Sequence, residues 1–142
     1  YETICGGTGA GPDFDGCSAI QTHMTNTRST DPEVLEFRFP VRLEEMSIRR
    51  GSGGVGEHTG GNGIVRKMVF HEQMTVTTLC SHRRVPPFGQ DGGSPGEVGK
   101  EWIERADGRI VDHKGVDENE VYPGDVFVMH TPSGGGYGRQ TS

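Results

Sequence analysis

Glycine limits what this chain can fold into. Gly accounts for 24 of its 142 residues, and most of them fall in three stretches. The first is Gly6-Gly7-Thr8-Gly9-Ala10-Gly11, the second runs from Gly51 to Gly63, and the third is Gly134-Gly135-Gly136-Tyr137-Gly138. Gly adds no side chain to a core and loses the most backbone entropy on folding. Whatever orders these stretches must therefore come from close backbone approach or from a neighbouring surface. Their spacing is irregular and their flanks differ, which excludes a solenoid repeat. Embedded Pro, Asp and aromatic residues separate them from Ser-rich flexible linkers. They are expected as long Gly-rich loops that present a close-packing interface to partners.

The segments between them carry strand signals. Leu occurs only three times and Val is the commonest apolar residue, which favours strands over helices. Arg42-Leu43-Glu44-Glu45-Met46-Ser47-Ile48 predicts a strand of irregular alternation. Ile64 to Phe70 and Met74 to Cys80 flank His71-Glu72-Gln73 and predict an antiparallel hairpin. Trp102-Ile103-Glu104-Arg105 and Arg109-Ile110-Val111-Asp112 predict a second hairpin, because Asp107-Gly108 tolerates left-handed backbone. Tyr122-Pro123-Gly124-Asp125 reads as a turn into the strand Val126-Phe127-Val128-Met129-His130. A short helix is expected at Asp31-Pro32-Glu33-Val34-Leu35-Glu36, with Asp31 as N-cap, Pro32 at N1 and Pro40 limiting its extension. The fold class is mainly β: antiparallel hairpins, long Gly-rich loops, and at most one or two short helices in a single unit over residues 1–142. With AVILMFWYC residues at 30% and a net charge of −6, such a unit is thinly stabilised and needs neighbours. Tyr1-Glu2-Thr3-Ile4-Cys5 has the pattern of mid-strand, so the chain is expected to belong to a longer polypeptide.

Several function classes drop out. A net charge of −6 with only the adjacent pairs Arg49-Arg50 and Arg83-Arg84 gives no basic face for nucleic acid. No apolar run is long enough to span a membrane. Cys5, Cys17 and Cys80 lack a Cys-x-x-Cys spacing and read as free thiols of a reducing cytoplasm. Gly51-Ser52-Gly53-Gly54-Val55-Gly56 fits a dinucleotide fingerprint formally, but the Gly-rich sequence after it cannot open the required helix. Gly96-Glu97-Val98-Gly99-Lys100 fails as a phosphate loop, with Ser94 at the first Gly position and Glu101 where Ser or Thr would hold Mg²⁺. The six His form no His-x-His or His-x-x-x-His pair, so no metal site is expected on this chain. Thr22-His23-Met24-Thr25-Asn26-Thr27-Arg28 concentrates polar groups in one short segment. It is expected either as a buried hydrogen-bonded loop or as a place where His23 or Asn26 meets a substrate polar group or a metal shared with another domain. Arg49, Arg50, Arg83 and Arg84 either pair with internal carboxylates or dock a partner. Asp13 and Asp15 flank Phe14 in a Pro-Gly loop and read as turn formers.

Taken together in order, these motifs resemble the C-terminal portion of the hydantoinase B/5-oxoprolinase family. The resemblance rests on Gly6-Gly7-Thr8-Gly9-Ala10-Gly11-Pro12, Thr22-His23-Met24-Thr25-Asn26-Thr27-Arg28, Thr30-Asp31-Pro32-Glu33 and Arg49-Arg50-Gly51-Ser52-Gly53-Gly54. It continues through Gly60-Gly61-Asn62-Gly63, Arg83-Arg84-Val85-Pro86-Pro87-Phe88-Gly89, Tyr122-Pro123-Gly124-Asp125 and Thr131-Pro132-Ser133-Gly134-Gly135-Gly136-Tyr137-Gly138. The resemblance implies part of an ATP-dependent cyclic amide hydrolase made of A-type and B-type parts, fused or separate. ATP and Mg²⁺ are expected on the A-type partner, which phosphorylates the amide oxygen. The B-type part then completes opening of a 5-oxoproline, hydantoin or related lactam ring. No cofactor is expected on this chain alone, and any metal of the B-type part is expected upstream. The implied partners are the rest of the B-type subunit and the A-type subunit, in a cytoplasmic hetero-oligomer or fused chain. His23, Asn26 and Arg28 are expected nearest the functional surface as catalytic residues, with Arg49, Arg50, Arg83 and Arg84 supporting substrate or interface. The alternatives are a portion of an ATP-dependent acetone or acetophenone carboxylase, or a scaffold module without catalysis.

Overall fold

The structure is a computed structural model that describes residues 1–22 and 27–141. It contains seven strands and one α-helix among these residues, and every strand pairing is antiparallel. The mainly β class with a single short helix is what the Val-rich, Leu-poor composition predicts. The helix α1 spans Pro32–Arg38. Asp31 accepts a hydrogen bond from the Glu33 N–H at 2.9 Å, as an N-cap does, and Pro32 opens the first turn. The Phe39 N–H closes on the Leu35 carbonyl, and Pro40 ends the run.

Five strands form the larger sheet, in the order β1 (Val41–Ile48), β2 (Ile64–Phe70), β7 (Val126–His130), β4 (Lys100–Glu104) and β5 (Ile110–His113). The remaining two, β3 (Met74–Leu79) and β6 (Val116–Val121), form a two-stranded sheet. Leu35 from α1, Val41, Met68, Phe70 and Ile103 from the large sheet, and Val121 from the small one make the buried core. Ile103 and Val121 are fully buried.

The β2 and β3 strands fall where the sequence places them, but they are not a hairpin with each other. Both edges of β2 are already occupied, by β1 on one side and β7 on the other. The occupation extends past its end, since Phe70 N–H donates to the Asp125 carbonyl and His71 N–H to the Pro40 carbonyl. The chain therefore turns out of the sheet at His71, and β3 pairs with β6 instead. The β4–β5 hairpin does form. Gly108 N–H donates to the Arg105 carbonyl and Arg105 N–H to the Arg109 carbonyl, with Gly108 at φ +90°. The turn before β7 places Pro123 then Gly124, the latter at φ +89°, as a type II turn requires. Inside this turn the buried Asp125 carboxylate accepts from Arg105 Nη1, Ala106 N–H and Tyr122 N–H. Burial pushes its carboxyl upward, but the Arg105 guanidinium and the two backbone N–H groups outweigh that and hold it below the usual carboxylate range.

The irregular alternation of β1 has a physical cause. Leu43 pairs with Met68 and Glu45 with Lys67, so Glu44 is an extra residue in a β-bulge. Beyond the bulge Met46 pairs with Arg66, two residues before Met68 on β2. Met46 consequently shares the sheet face of Leu43, which strict alternation would deny it.

The Gly-rich stretches are not slack. Among the described residues four segments, roughly 6–10, 52–63, 87–96 and 131–138, run outside named strands but are joined by long-range backbone hydrogen bonds. Gly134 N–H donates to the Gly61 carbonyl, Gly61 N–H to Thr8, Gly54 N–H to Gly134, and Gly136 N–H to Ser94, each at 2.8–2.9 Å. Gly54, Gly60, Gly61, Gly134, Gly135 and Gly136 are buried, and none has positive φ. Their missing side chain matters for space: a Cβ on Gly134 would overlap the Thr8 carbonyl, and one on Gly60 the Gly134 carbonyl. The glycines expected to meet a partner's surface are thus spent on one another.

Candidate functional site

The polar segment predicted nearest the functional surface falls partly outside the described residues, which exclude His23 and Asn26. Both neighbours in sequence are described. Gln21 on one side and Thr27 and Arg28 on the other line an open groove of about 600 Å³. Ile4, Cys5, Ile20 and Met46 give it an apolar lining.

Two crossing segments build one wall of this groove. Ile20 N–H donates to the Gly6 carbonyl at 2.9 Å, and Gln21 Nε2 donates to the Thr3 carbonyl at 2.7 Å. Further along the same pair, Cys17 N–H donates to Thr8 Oγ1 at 2.7 Å. Ala19 sits between wall and glycine framework at φ +52°, a left-handed conformation rare for a residue with a Cβ. Its N–H donates to the Asn62 carbonyl, which anchors the wall to the second Gly-rich stretch. Tyr1 to Cys5 do not form the strand that their pattern suggested. Glu2 pairs with Arg66 of β2 at 2.5 Å, on the sheet face that Met68 shares. Met46, brought to this face by the bulge, contributes to the other side of the groove.

Arg28 is exposed, and among the described residues its guanidinium has neither a carboxylate nor a hydrogen-bond acceptor. Cys5 lines the same groove, but burial raises its thiol pKa above the ordinary value, partly countered by a backbone hydrogen bond. At neutral pH it is a thiol and not the nucleophilic thiolate. Cys5, Cys17 and Cys80 are all free. A smaller groove of about 350 Å³ lies at Asp15, Gly53, Thr59 and Asn62. Its polar groups are already committed: Asp15 Oδ1 accepts from Thr59 N–H and Asn62 Oδ1 from Gly53 N–H. That depression belongs to the framework.

The four arginines expected at a substrate or interface divide into two pairs. Arg49 is turned inward, donating to the Val98 and Thr131 carbonyls and to Glu97 Oε2 at 2.6 Å. Arg83 Nε donates to Glu101 Oε1 at 2.7 Å, and the Glu101 side chain is fully buried. Ion pairing with internal carboxylates thus describes Arg49 and Arg83. Arg50 and Arg84 are exposed without a side-chain partner among the described residues. The structure does not bring all four to one surface with Arg28; only Arg28 lines the larger groove.

His113 carries a polar network that sequence reasoning missed. Asn119 Nδ2 donates to His113 Nδ1, so Nε2 bears the proton and donates to Thr78 Oγ1, each at 2.8 Å. Thr78 Oγ1 in turn donates to the Lys114 carbonyl. Burial lowers the His113 pKa, against the opposing pull of Asp117 and Glu101, so the imidazole is neutral and joins the two sheets. Among the described residues no cluster of three His, Cys, Asp or Glu side chains is arranged to hold a metal ion, and no helix is long and apolar enough to cross a membrane.

Fold and groove together define an antiparallel β framework, cross-tied by glycine backbone, with an open groove lined by Ile4, Ile20, Arg28 and Met46. The family model described as hydantoinase B/oxoprolinase matches residues 1–140, and the chain belongs to that family. It is 42% identical to a 5-oxoprolinase of Dictyostelium discoideum across all 142 residues, which is 11% of that relative. Among solved structures, the ATP-dependent caprolactamase from Pseudomonas jessenii superimposes with a TM-score of 0.81 at 26% identity, over 96% of this chain and 25% of its own. A nucleotide-free acetone carboxylase shares the fold, with a TM-score of 0.78 at 18% identity over 96% of this chain and 23% of its own. The chain spans about 11% of the length of the 5-oxoprolinases it matches.

Proposed function

We propose that this chain is the C-terminal portion of the B-type part of an ATP-dependent cyclic amide hydrolase. The observation that carries this reading is the 42% identity to a 5-oxoprolinase along the whole chain. The caprolactamase similarity supports the wider class, an amide ring opened at the expense of ATP. An unstrained lactam is a poor electrophile. In the proposed sequence the A-type partner, with ATP and Mg²⁺, transfers the γ-phosphoryl group to the amide oxygen and releases ADP. Water adds to the activated carbon, the ring C–N bond breaks, and phosphate leaves after a second water is consumed. The intermediate must be shielded from bulk water until that attack. A framework held by long-range backbone hydrogen bonds suits a wall of such a site, with His23, Asn26 and Arg28 as its candidate substrate-contacting residues. Arg50 and Arg84 are available to a partner's carboxylates, while Arg49 and Arg83 keep the loops that carry them in place.

The test is an assay of the whole protein that contains this chain, supplied with ATP and either 5-oxoproline, hydantoin, or acetone with bicarbonate. The expected result is glutamate from 5-oxoproline, with one ADP formed per ring opened and no bicarbonate requirement. Bicarbonate-dependent consumption of acetone or acetophenone would assign it to the carboxylases instead. Turnover of 5-oxoproline by the isolated 142-residue chain would contradict its place as a part of the site.

A further inference from the structure

The larger groove combines an apolar lining with a single full charge. Ile4, Ile20 and Met46 supply the apolar surface, and Arg28 alone among its described lining residues is ionised. The half-buried arginines are matched by carboxylates, Arg49 by Glu97, Arg66 by Glu2, Arg83 by Glu101 and Arg105 by Asp125, whereas Arg28 is exposed at the groove. Arg28 has no such partner among the described residues, in a chain whose net charge is −6. An uncompensated guanidinium beside apolar surface is complementary to a small molecule with an apolar body and one carboxylate. The planar fork of Arg meets a carboxylate through two parallel hydrogen bonds, which a neutral amide does not match. A groove of about 600 Å³ is in the size range of small-molecule sites.

We propose that Arg28 selects for a carboxylate on the cyclic amide, binding it in the groove while the ring methylenes lie on Ile4, Ile20 and Met46. This rests on the cyclic amide reading and narrows it to ring substrates that carry an acid group, such as 5-oxoproline. Arg28 binds the part of the substrate that does not react, so its effect falls on discrimination between substrates.

The experiment compares 5-oxoproline with 2-pyrrolidinone, the same ring without the carboxylate, using the whole protein with ATP. Arg28→Gln is expected to lower the ratio of kcat/KM for the two lactams about tenfold or more, chiefly through KM for 5-oxoproline. Arg28→Lys, which keeps the charge but loses the fork, is expected to fall between the two. A packing or chemical role would lower both substrates in proportion, and an unchanged ratio overturns the proposal. Calorimetric binding of 5-oxoproline to the same proteins gives a readout independent of turnover. Binding about tenfold weaker in Arg28→Gln supports the proposal; equal affinity, or no binding to either protein, overturns it. Failure of the wild-type protein to open 5-oxoproline with ATP, while the binding difference persists, would remove the hydrolase reading and leave the carboxylate site standing.

Discussion

Gly7→Ala is expected to destabilise the glycine framework by about 3 kcal/mol, while Gly9→Ala, two residues further on, is expected to be neutral or mildly stabilising. A Cβ on Gly7 would overlap the Gly61 carbonyl and also lie 2.9 Å from the Asn62 carbonyl oxygen. Both obstacles are backbone, and the Gly61 N–H is itself held by the Thr8 carbonyl, so neither can yield without breaking hydrogen bonds. At Gly9 the nearest atom is the Gly135 carbonyl oxygen at 3.8 Å, an ordinary contact, and φ is not positive. Ala there restricts the unfolded chain more than the folded one. The measurement is amide hydrogen exchange of β2 and β7 in the whole protein. About 3 kcal/mol corresponds to roughly a hundredfold faster exchange for Gly7→Ala, with Gly9→Ala at or below the wild-type rate. Equal behaviour of the two variants would mean that the stretch is a loop without fixed neighbours.

Arg83→Met should be comparably severe, at about 3–5 kcal/mol, because it strands a carboxylate inside the protein. The Glu101 side chain is fully buried, and its second oxygen already lacks a hydrogen-bond partner. Its first oxygen depends on the Arg83 fork, which also donates to the Ser81 carbonyl at 2.7 Å. Removing the guanidinium leaves a charge with no solvent and no donor. Removing both, in Arg83→Met/Glu101→Met, replaces the pair with apolar volume and should recover most of the loss. A double-mutant cycle followed by thermal denaturation checks this. A double variant as unstable as Arg83→Met would show that Arg83 acts through packing against Gly99 and Gly115, which its side chain abuts, and not through the charge.

Strand locations and the helix were legible because they depend on local signals. Asp31-Pro32 starts α1, Pro123-Gly124 makes the turn before β7, and Asp107-Gly108 closes the β4–β5 hairpin. Pairing was less legible, since β2 and β3 are separated by only three residues yet lie in different sheets. Nothing local to His71-Glu72-Gln73 reports that both edges of β2 are taken by distant strands. The β6 strand escaped notice because Val116–Val121 carries Asp117-Glu118-Asn119-Glu120 between two valines, without apolar alternation. The groove was half visible. Polar density singled out the segment ending at Arg28, but Met46 joins it only through the bulge at Glu44, which shifts the alternation by one residue. The glycines were the least legible. Composition alone reads them as surface for another molecule, and only the long-range hydrogen bonds reveal that they face each other. The same bonds explain how a chain with so few large apolar residues keeps a fixed shape: backbone packing supplements the small core.

That claim is tested most directly by the exchange rates of the glycine amides themselves, in the wild-type protein and without mutation. The N–H groups of Gly54, Gly61, Gly134 and Gly136 donate to segments far away in sequence. They are predicted to exchange as slowly as the amides of β2 and β7, since they can open only when the framework opens. Exchange at the rate of unstructured loops, with β2 and β7 still protected, would contradict it and return these stretches to the status of flexible connections.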